Sequence, residues 1–490
     1  MSQSPITQVL LALIFCLVGS ATLAQISERS PSDRAPDPAR TENFRSKRYG
    51  VFFHYLNGLQ NNEASINSLG KETSWNECVE EFDVERFANQ VAETGAGYVF
   101  FTMMQQERFM PAPNATFDRL TGYEPGEACA KRDLIAEIAD ALEARGIDLY
   151  LYWTGDGPTL DPQAFQGLSG AIPVTEDYMR AWSKVVAEYG ERYGKKVKGW
   201  WVDGSYSWIG HSDATFSILA EALRAGNPER ILAFNPGVDP KVSAYTDFDD
   251  FTAGEQNEFV SLPETGRFLK GAQWHILTFL GDNWGRPGVK LSKDELARYV
   301  WNVGKRGGVV TIDALLYRDG SLDRSQLETL KALRPRLEKI DAEYETRRAS
   351  GNLAVDAIAF LQSLDGSREL PPSVGAVHAA DKGVDGDPNT AAVGANVWAW
   401  AFVVQLPEPG DATRITLLFG GGFATEFEAF VKSDDSEWVS VGRFENPEGL
   451  KAFDITFEKR RVSAVKIAGY RPNGENQPGV QMSIAELGVF

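Results

Sequence analysis

Two carboxylic acids in distant parts of the chain, Asp203 and Glu255, are the residues best suited to chemistry. Asp203 ends the apolar run Gly-Trp-Trp-Val-Asp, and Glu255 lies in Thr-Ala-Gly-Glu-Gln. Cleavage of a glycosidic bond needs two carboxyl groups, one at the anomeric carbon and one that protonates the leaving oxygen. Two simpler interpretations compete: Asp203 could cap the following helix, a position that Asp favours, and Glu255 could lie on a surface loop.

The elements that could bring these acids together are short apolar runs that alternate with helix-period segments. Eight such runs predict strands: Tyr49–Tyr55, Gly97–Thr102, Asp148–Trp153, Lys198–Gly204, Arg230–Pro236, Asp250–Gln256, Gly271–Leu280 and Gly307–Ala314. Amphipathic helices are predicted between most of them, at Val84–Thr94, Leu134–Arg145, Glu176–Tyr193, Ala214–Ala225 and Lys293–Gly304. Eight strand–helix units predict an α/β fold, a (β/α)8 TIM-like barrel.

In such a barrel the working residues lie at the C-terminal ends of the strands, where the loops converge. The residues found there are polar or aromatic groups that can bind hydroxyls: His54, Gln105, Gln106, Trp153, Asp203, Asn235, Glu255, His275 and Asp313. Carboxylates from the fourth and sixth strands can face each other across the barrel mouth. The strand count therefore supports Asp203 and Glu255 as a catalytic pair.

The last third of the chain has a different pattern. Beyond Glu345 the long helical periods stop, and short alternating runs predict an all-β sandwich. These runs are Trp398–Val404, Arg414–Phe419, Glu426–Lys432, Trp438–Arg443, Lys451–Phe457, Ala464–Ala468 and Ile484–Phe490. We predict four parts: a signal peptide over residues 1–24, the barrel over 25–345, a linker over 346–374 and the sandwich over 375–490.

Composition limits the partners and the compartment. The net charge of −19 argues against nucleic acid, whose binding depends on clustered Lys and Arg. The apolar run Val9–Ala21 is too short to span a bilayer and precedes Thr-Leu-Ala, which predicts a cleaved signal and a secreted or periplasmic protein. An exported chain could pair Cys78 with Cys129, although two free thiols are an equal alternative. The four histidines are far apart, so the sequence predicts no metal site in the barrel.

The motifs resemble those of the α-L-fucosidase superfamily, glycoside hydrolase family 29, over most of residues 48–339. The similar segments are Tyr49–Tyr55, Glu81–Asp83 with Ala96–Thr102, Arg132–Leu134 with Tyr152–Gly155, Trp201–Gly204, Asp250–Glu255 and Trp301–Ile312. The resemblance implies that Asp203 is the nucleophile and Glu255 the acid/base, with Glu258 as its rival. It also implies substrate-binding roles for His54, Trp75, Gln105, Gln106, Tyr152, Trp153, Trp201, Asn235, Trp274 and His275.

Three segments depart from the family pattern. A pair of histidines usually follows the second strand, whereas this chain has Gln105-Gln106, which can bond hydroxyls but cannot take a proton at neutral pH. The family's Trp-Glu near strand seven is Trp274-His275, and Asn235-Pro236 replaces the arginine often found after strand five. These departures alter the sugar subsite that the family would otherwise imply.

Residues from about 375 onward resemble a discoidin, or factor 5/8 type C, module of the galactose-binding jelly-roll type. The segments that carry the resemblance include Asp385–Thr390, Trp398–Trp400, Glu426–Asp434 and Ile484–Leu487. The Asp-Gly-Asp turn holds a structural calcium ion in some such modules, so Ca²⁺ is a candidate ligand here. A stabilising appendage without a ligand is the alternative, since a fold alone does not give a function.

Taken together, the resemblance implies a retaining glycoside hydrolase that releases α-linked fucose, or a similar L-sugar, from glycans. No cofactor is required for that chemistry. The expected partner is a fucose-containing oligosaccharide or polysaccharide, with no nucleic acid and no integral membrane segment after removal of the signal. Two alternatives are an endo-acting hydrolase of a fucose-rich polysaccharide and a non-catalytic glycan-binding relative.

Overall fold

The computed structural model describes residues 31–239, 241–264, 266–372, 379–394, 399–433, 436–471 and 482–490. The predicted signal peptide, His378 and Trp398 lie outside the described residues. The chain forms two compact units, Met1–Arg334 and Pro335–Phe490, and the division falls within one helix. No helix among the described residues has the length and apolar character that crossing a bilayer requires.

The first unit alternates strands and helices. Its strands are β1 Tyr49–Phe53, β2 Tyr98–Thr102, β3 Asp148–Thr154, β4 Val197–Asp203, β5 Ile231–Phe234, β6 Phe268–Leu269, β7 Ala272–Gln273, β8 His275–Phe279 and β9 Val309–Ala314. Its helices are α1 Pro38–Ser46, α2 Asn57–Gln60, α3 Trp75–Glu80, α4 Val84–Thr94, α5 Ala115–Thr121, α6 Leu134–Glu143, α7 Pro162–Gly167, α8 Glu176–Tyr193, α9 Asp213–Leu223, α10 Lys293–Lys305 and α11 Arg324–Lys331. Short 3₁₀ turns cover Ile66–Ser68, Gly194–Lys196 and Ser207–Ile209.

Seven of these strands form one parallel sheet in the order β5-β4-β3-β2-β1-β9-β8. The first and last strands in sequence are neighbours, since Tyr49 of β1 pairs with Val310 of β9. This wrapped order is that of a TIM-like barrel, and the predicted fold class is confirmed. Each of these seven strands is buried on both faces, as expected where one face fills the barrel and the other packs on helices.

The sixth strand position is irregular. The segment from Asp250 to Gln256 bonds on one side to β5, through the amide of Asp250 and the Leu232 carbonyl. On the other side its Glu255 forms an isolated parallel bridge with Leu277 of β8. The predicted strand over these residues is therefore a bridging segment that joins the two edges of the sheet without a regular ladder.

Aromatic rings fill the interior of the barrel. Phe44 of α1 lies among them, with its ring centroid 4.8 Å from Tyr98, 5.3 Å from Tyr150 and 5.0 Å from Phe251. These side chains are at most 1% exposed. Because the interior is packed, a ligand can enter only at the strand ends.

The second unit is built on one antiparallel sheet, as predicted, and also contains most of the helix α12, Leu333–Ala349. Its strands are β10 Ile358–Gln362, β11 Ala392–Val393, β12 Trp400–Phe419, β13 Glu426–Lys432, β14 Val439–Glu445, β15 Ala452–Arg471 and β16 Ser483–Val489. They pair in the order β11-β16-β12-β15-β13-β14, and β10 also pairs with β12. Strands β12 and β15 are long, and each includes two of the shorter predicted runs. The pairing of β12 with β15 contains register shifts.

One boundary needs correction. The residues predicted as a linker, 346–374, contain β10 and the end of the helix α12, Leu333–Ala349. Leu361 of β10 is buried in the core of the second unit. The segment is therefore a structural part of that unit.

Candidate active site

A cavity of about 420 Å³ opens where β1, β2, β3 and β4 end. Its polar lining is His54, Asn57, Gln105, Gln106, Glu107, Tyr152, Asp203, Tyr206 and Glu255, and its aromatic lining is Phe52, Phe109, Trp201 and Trp284. This volume is within the range of about 300–1,000 Å³ that is usual for small-molecule sites. The predicted acids therefore share one opening.

Asp203 is the last residue of β4 and receives three hydrogen bonds. Its Oδ2 accepts from the Tyr152 hydroxyl at 2.6 Å, and its Oδ1 accepts from the Tyr206 hydroxyl at 2.7 Å. The third donor is Nδ2 of Asn235, at 2.9 Å from Oδ1. Helix α9 is capped by Ser212 instead. Asp203 is thus not a helix cap, and its carboxylate is fixed in the cavity wall.

Glu255 reaches the same cavity on the irregular bridging segment. The residue before it, Gly254, has φ +61°, and a Cβ there would lie 2.0 Å from the His275 carbonyl oxygen. Only glycine allows the chain to pass this close to β8, so Gly254 sets the position of the acid. Burial raises the pKa of Glu255 to about 7, and the negative charge of Asp203 acts in the same direction.

Asn235 links the two acids. Its Nδ2 donates to Asp203 Oδ1 at 2.9 Å and to Glu255 Oε2 at 2.8 Å. Asn235 is fully buried, so both hydrogens of its amide are used on these carboxylates. Acids from two strands that are not adjacent are therefore held close together by a single nitrogen.

The other polar residues of the cavity are also held in place. His54 Nδ1 lies 2.8 Å from Asp313 Oδ1, and the amide of Gly285 donates to the other oxygen of Asp313. Gln105 donates to the Tyr152 hydroxyl at 2.9 Å, and that hydroxyl in turn donates to Asp203. Such chains polarise each member and fix side-chain orientation.

Gln106 donates its side-chain hydrogen bond to a carboxyl group, whereas Gln105 donates to a tyrosine hydroxyl. Gln106 has φ +58° and donates to Asp156 Oδ2 at 2.8 Å. Burial raises the pKa of Asp156 to about 6. Gln106 thus binds a protein carboxyl group beneath the cavity wall and still lines the cavity itself.

Several predicted binding residues lie elsewhere. Trp153 is fully buried and stacks on Trp182 of α8 at 4.5 Å, because alternate residues of β3 face opposite sides. Trp75 donates through its indole nitrogen to the Met110 carbonyl and does not reach the cavity. These two assignments are corrected to packing roles.

Trp274 and His275 are placed at the wrong end of the barrel for binding. His275 begins β8 and pairs with Val309, the first residue of β9. Its two ring nitrogens lie 2.8 Å from the Thr252 carbonyl and 2.7 Å from Thr311 Oγ1, within the packed interior. Burial lowers the pKa of His275 to about 4. Both assignments are corrected, since the strand ends at Phe279 and not at His275.

The rival acid does not share the site. The side chain of Glu258 is 68% exposed, and its nearest charged partner is Lys290 at 3.7 Å. It is absent from the cavity lining. Glu255 is therefore the acid that faces Asp203.

The lining residues that were not predicted include Tyr206, Glu107 and Trp284. Tyr206 lies three residues beyond Asp203, and Glu107 directly follows the two glutamines. Extension of the strand-end rule by three or four residues into each loop would have included both. Trp284 lies in a loop after β8 and carries no comparable signal.

No group of three or more His, Cys, Asp or Glu in the described part of the chain is placed to hold a metal ion. At the acidic turn of the second unit, Arg347 donates to Glu486 at 2.7 Å, and Lys382 lies 3.6 Å from Asp385. Burial raises the pKa of Glu486 to about 7, and the charge of Arg347 opposes this shift. Arg347 and Lys382 therefore place positive charge next to these acids.

The two cysteines left open by the sequence, Cys78 and Cys129, are both free and buried. Burial raises the pKa of the Cys78 thiol to about 11. Cys78 is placed in α3, where its thiol lies 3.6 Å from the Tyr55 hydroxyl. Both cysteines therefore serve as core residues.

The family model described as alpha-L-fucosidase matches residues 19–336. The chain belongs to the alpha-L-fucosidase family. The matched residues include the whole cavity, and the members of this family are glycosidases, so the enzyme is a glycoside hydrolase. The alternative of a non-catalytic glycan-binding protein is not retained.

Solved structures of fucosidases and of one hydrolase from family 107 are similar to this chain in sequence only at a low level. A Ruminococcus gnavus GH29 fucosidase in complex with fucose is 13% identical, covers 95% of this chain and 97% of its own, and has a TM-score of 0.44. The unliganded Lactobacillus casei alpha-L-fucosidase is 16% identical over 62% of this chain and 100% of its own, with a TM-score of 0.45. An endo-fucoidan hydrolase of family 107 is 15% identical over 60% and 93%, with a TM-score of 0.46. No curated protein matches the chain.

The raised pKa of Glu255 predicts a pH-dependent effect on the stability of this family member. Its pKa rises from 4.5 to about 7 on folding, so ionisation of Glu255 destabilises the folded state as pH increases from 4.5 to 7. Glu255→Gln removes that ionisation. We expect the variant to be more stable than the wild type by on the order of 1–3 kcal/mol at pH 8 and nearly equal to it at pH 4.5.

Chemical unfolding at several pH values measures this difference. The matched control is Glu258→Gln, since that side chain is largely exposed. Because the control keeps Glu255, its stability should differ from that of the wild type by the same amount at both pH values. A gain for Glu255→Gln that stays constant across pH would contradict the proposed origin in ionisation.

Proposed function

We propose that this enzyme is a retaining, exo-acting α-L-fucosidase that releases terminal α-linked fucose from neutral glycans. Asp203 is the nucleophile and Glu255 the acid/base. The observation that carries the proposal is the shared hydrogen-bond donor: Asn235 bonds both carboxylates at the wall of one small cavity. The family match and the fucosidase structures with similar folds agree with this substrate.

The spacing of the acids favours retention over inversion. The two bonds from Asn235, laid end to end, limit the Asp203 Oδ1 to Glu255 Oε2 distance to about 5.7 Å, whereas retaining enzymes have about 5–5.5 Å and inverting enzymes about 6.5–9.5 Å. This spacing is shorter than the one at which an inverting enzyme accommodates a water molecule between its base and the sugar ring. A covalent intermediate on Asp203 is therefore the favoured route.

In the first step, Asp203 attacks the anomeric carbon while Glu255 gives its proton to the leaving oxygen. The bond from carbon to that oxygen breaks with its electron pair, and a fucosyl ester forms on Asp203. In the second step, the Glu255 carboxylate takes a proton from water, and the water oxygen displaces Asp203. Configuration at the anomeric carbon is inverted twice and so retained.

The environment suits these two roles. A pKa near 7 lets Glu255 hold a proton at neutral pH and release it in the first step. Asp203 accepts from three neutral donors, which orient it and stabilise its negative charge. His54, fixed by Asp313, lines the cavity beside them and is suited to bind a sugar hydroxyl.

The charge of the lining favours a neutral sugar. Glu107 lines the cavity along with Asp203 and Glu255, and no Lys or Arg occurs among the described residues that line it. A sulfate ester would meet negative charge without a counter-ion, which opposes binding. This argues against the endo-acting hydrolase of a sulfated polysaccharide as the leading function.

The second unit offers little support for a sugar-binding role in its described part. Trp400 is fully buried, and Trp438 is half-buried, with the Lys466 ammonium over its ring at 4.9 Å from the centroid. A sugar platform needs an exposed aromatic face. We therefore propose that this unit stabilises the enzyme, with its acidic turn neutralised by Arg347 and Lys382.

The nucleophile can be tested by removal and chemical rescue. Asp203→Gly should lower kcat on an aryl α-L-fucoside at least about 10³-fold. Added azide should restore turnover and give β-L-fucosyl azide, because azide attacks from the face that Asp203 has left. The products are read by nuclear magnetic resonance, and Glu258→Gln should behave as the wild type. Full activity of Asp203→Gly would refute the assignment.

Protonation of Glu255 predicts how kcat/KM falls on the alkaline side of the pH profile. Glu255 must be protonated to assist a sugar leaving group, so kcat/KM for a fucosylated disaccharide should fall as pH rises through about 7. Initial rates between pH 5 and pH 9 measure the midpoint. Glu258→Gln should leave it unchanged. A midpoint that lies above pH 9 excludes Glu255 as the group that titrates.

The preference for a neutral sugar is tested by a change of charge at Glu107. Glu107→Gln keeps the shape and a hydrogen-bonding end, but removes one negative charge from the lining. Its kcat/KM for a sulfated aryl fucoside, relative to the unsulfated one, should rise roughly tenfold over the wild type. Glu258→Gln is again the matched control, with an unchanged ratio. An equal ratio in all three proteins would show that Glu107 does not select against sulfate.

A further inference from the structure

Exposed apolar side chains occur around the mouth of the cavity. Leu160 is 62% exposed and lines the cavity, and Trp208, next to the cavity residue Tyr206, is 58% exposed. Trp208 alone is exposed among the tryptophans that the structure describes. Large aromatic side chains are usually buried or used in binding, so an exposed tryptophan beside a cavity indicates a binding role.

The indole of Trp208 is one ring away from the proposed nucleophile. It stacks on Tyr206, with the ring centroids 5.8 Å apart and the planes inclined by 21°. The hydroxyl of Tyr206 donates to Asp203 at 2.7 Å, and its ring lines the cavity. A continuous aromatic surface therefore leads from the catalytic carboxylate to the solvent.

The turn that carries Trp208 is anchored by its neighbours. Ile209 is fully buried, its amide donates to the Tyr206 carbonyl, and its carbonyl accepts from the amide of Val174, each at 2.9 Å. Gly237 lies against the same Tyr206, because a Cβ at that position would be 3.3 Å from the ring. Trp208 is thus presented on a fixed turn, which reduces the entropy lost when a ligand binds.

We propose that Trp208 forms the leaving-group subsite, where its indole face packs against the pyranose ring of a neutral saccharide attached to the sugar that is cleaved. This inference rests on the proposed function. The cavity holds the cleaved sugar next to Asp203 and Glu255, so the remainder of the substrate must extend past its mouth. Tyr206, Trp208 and Leu160 supply an apolar surface there, and the C–H face of a pyranose packs well on an aromatic ring.

A pair of substrates separates this role from a merely structural one. One is a disaccharide with fucose α-linked to a neutral pyranose, and the other is α-L-fucosyl fluoride, whose leaving group has no ring. Trp208→Ala should lower kcat/KM on the disaccharide about 5- to 50-fold, as expected for the loss of one ring-stacking contact. On fucosyl fluoride it should differ from the wild type by less than about twofold, and Trp208→Phe should recover part of the loss.

The controls make each outcome informative. Val260→Ala removes another exposed apolar side chain, 68% exposed and not in the cavity lining, and should leave both substrates unaffected. An equal loss on both substrates would mean that Trp208 only supports Tyr206 and Asp203, which overturns the proposal. Wild-type rates of Trp208→Ala on both substrates would also overturn the proposal. If the wild type itself cleaves neither substrate, the proposed function fails independently of Trp208.

Discussion

The site depends on one amide group placed between two carboxyl groups. Asn235 gives both of its hydrogens to Asp203 and Glu255, and no other described side chain bonds both. Burial raises the pKa of Glu255, and repulsion by the charge of Asp203 adds to this effect, so Glu255 keeps a proton near neutral pH. The hydrogen bonds hold the pair together, while burial and repulsion make the two members chemically different. A nucleophile and a proton donor thus arise from two similar side chains.

The barrel must hold this pair against that repulsion. Asp203 is at the end of a regular strand whose hydrogen bonds to β3 and β5 fix its backbone. Glu255 has no such ladder: the amide of Leu277 donates to the Gly254 carbonyl, the amide of Gln256 donates to the Leu277 carbonyl, and Gly254 lets the backbone lie against the His275 carbonyl. One acid is therefore placed by a regular sheet and the other by an isolated bridge that depends on a close approach. The aromatic interior below, with Phe44 inserted from α1, gives both a rigid floor.

The sequence predicts the strands and site residues correctly where hydrophobic periodicity and the position of a strand end determine them. Apolar runs separated by amphipathic helices predicted the parallel strands, and the strand-end rule led to Asp203, Glu255 and His54, which all line the cavity. It failed at His275, since Gly271–Leu280 was read as one strand although it contains a hairpin strand and then β8. The alternation of faces within β3 distinguishes Tyr152 from Trp153, but a strand apolar on both faces does not reveal which residue points inward. Tyr206 and Trp208 lie in a loop, where no period applies.

The pairing of the first strand with the last has a consequence for how the enzyme is made. Tyr49 of β1 pairs with Val310 of β9, and His54 meets Asp313 across the same seam. Contacts so distant in the chain require a large loss of chain entropy before they contribute stability, which slows their formation. During synthesis the edge of β1 that pairs with β9 stays unpaired until nearly the whole first unit has left the ribosome. The cavity that holds the acids is consequently complete only in a chain that has finished closing, so an incompletely folded enzyme lacks a working site.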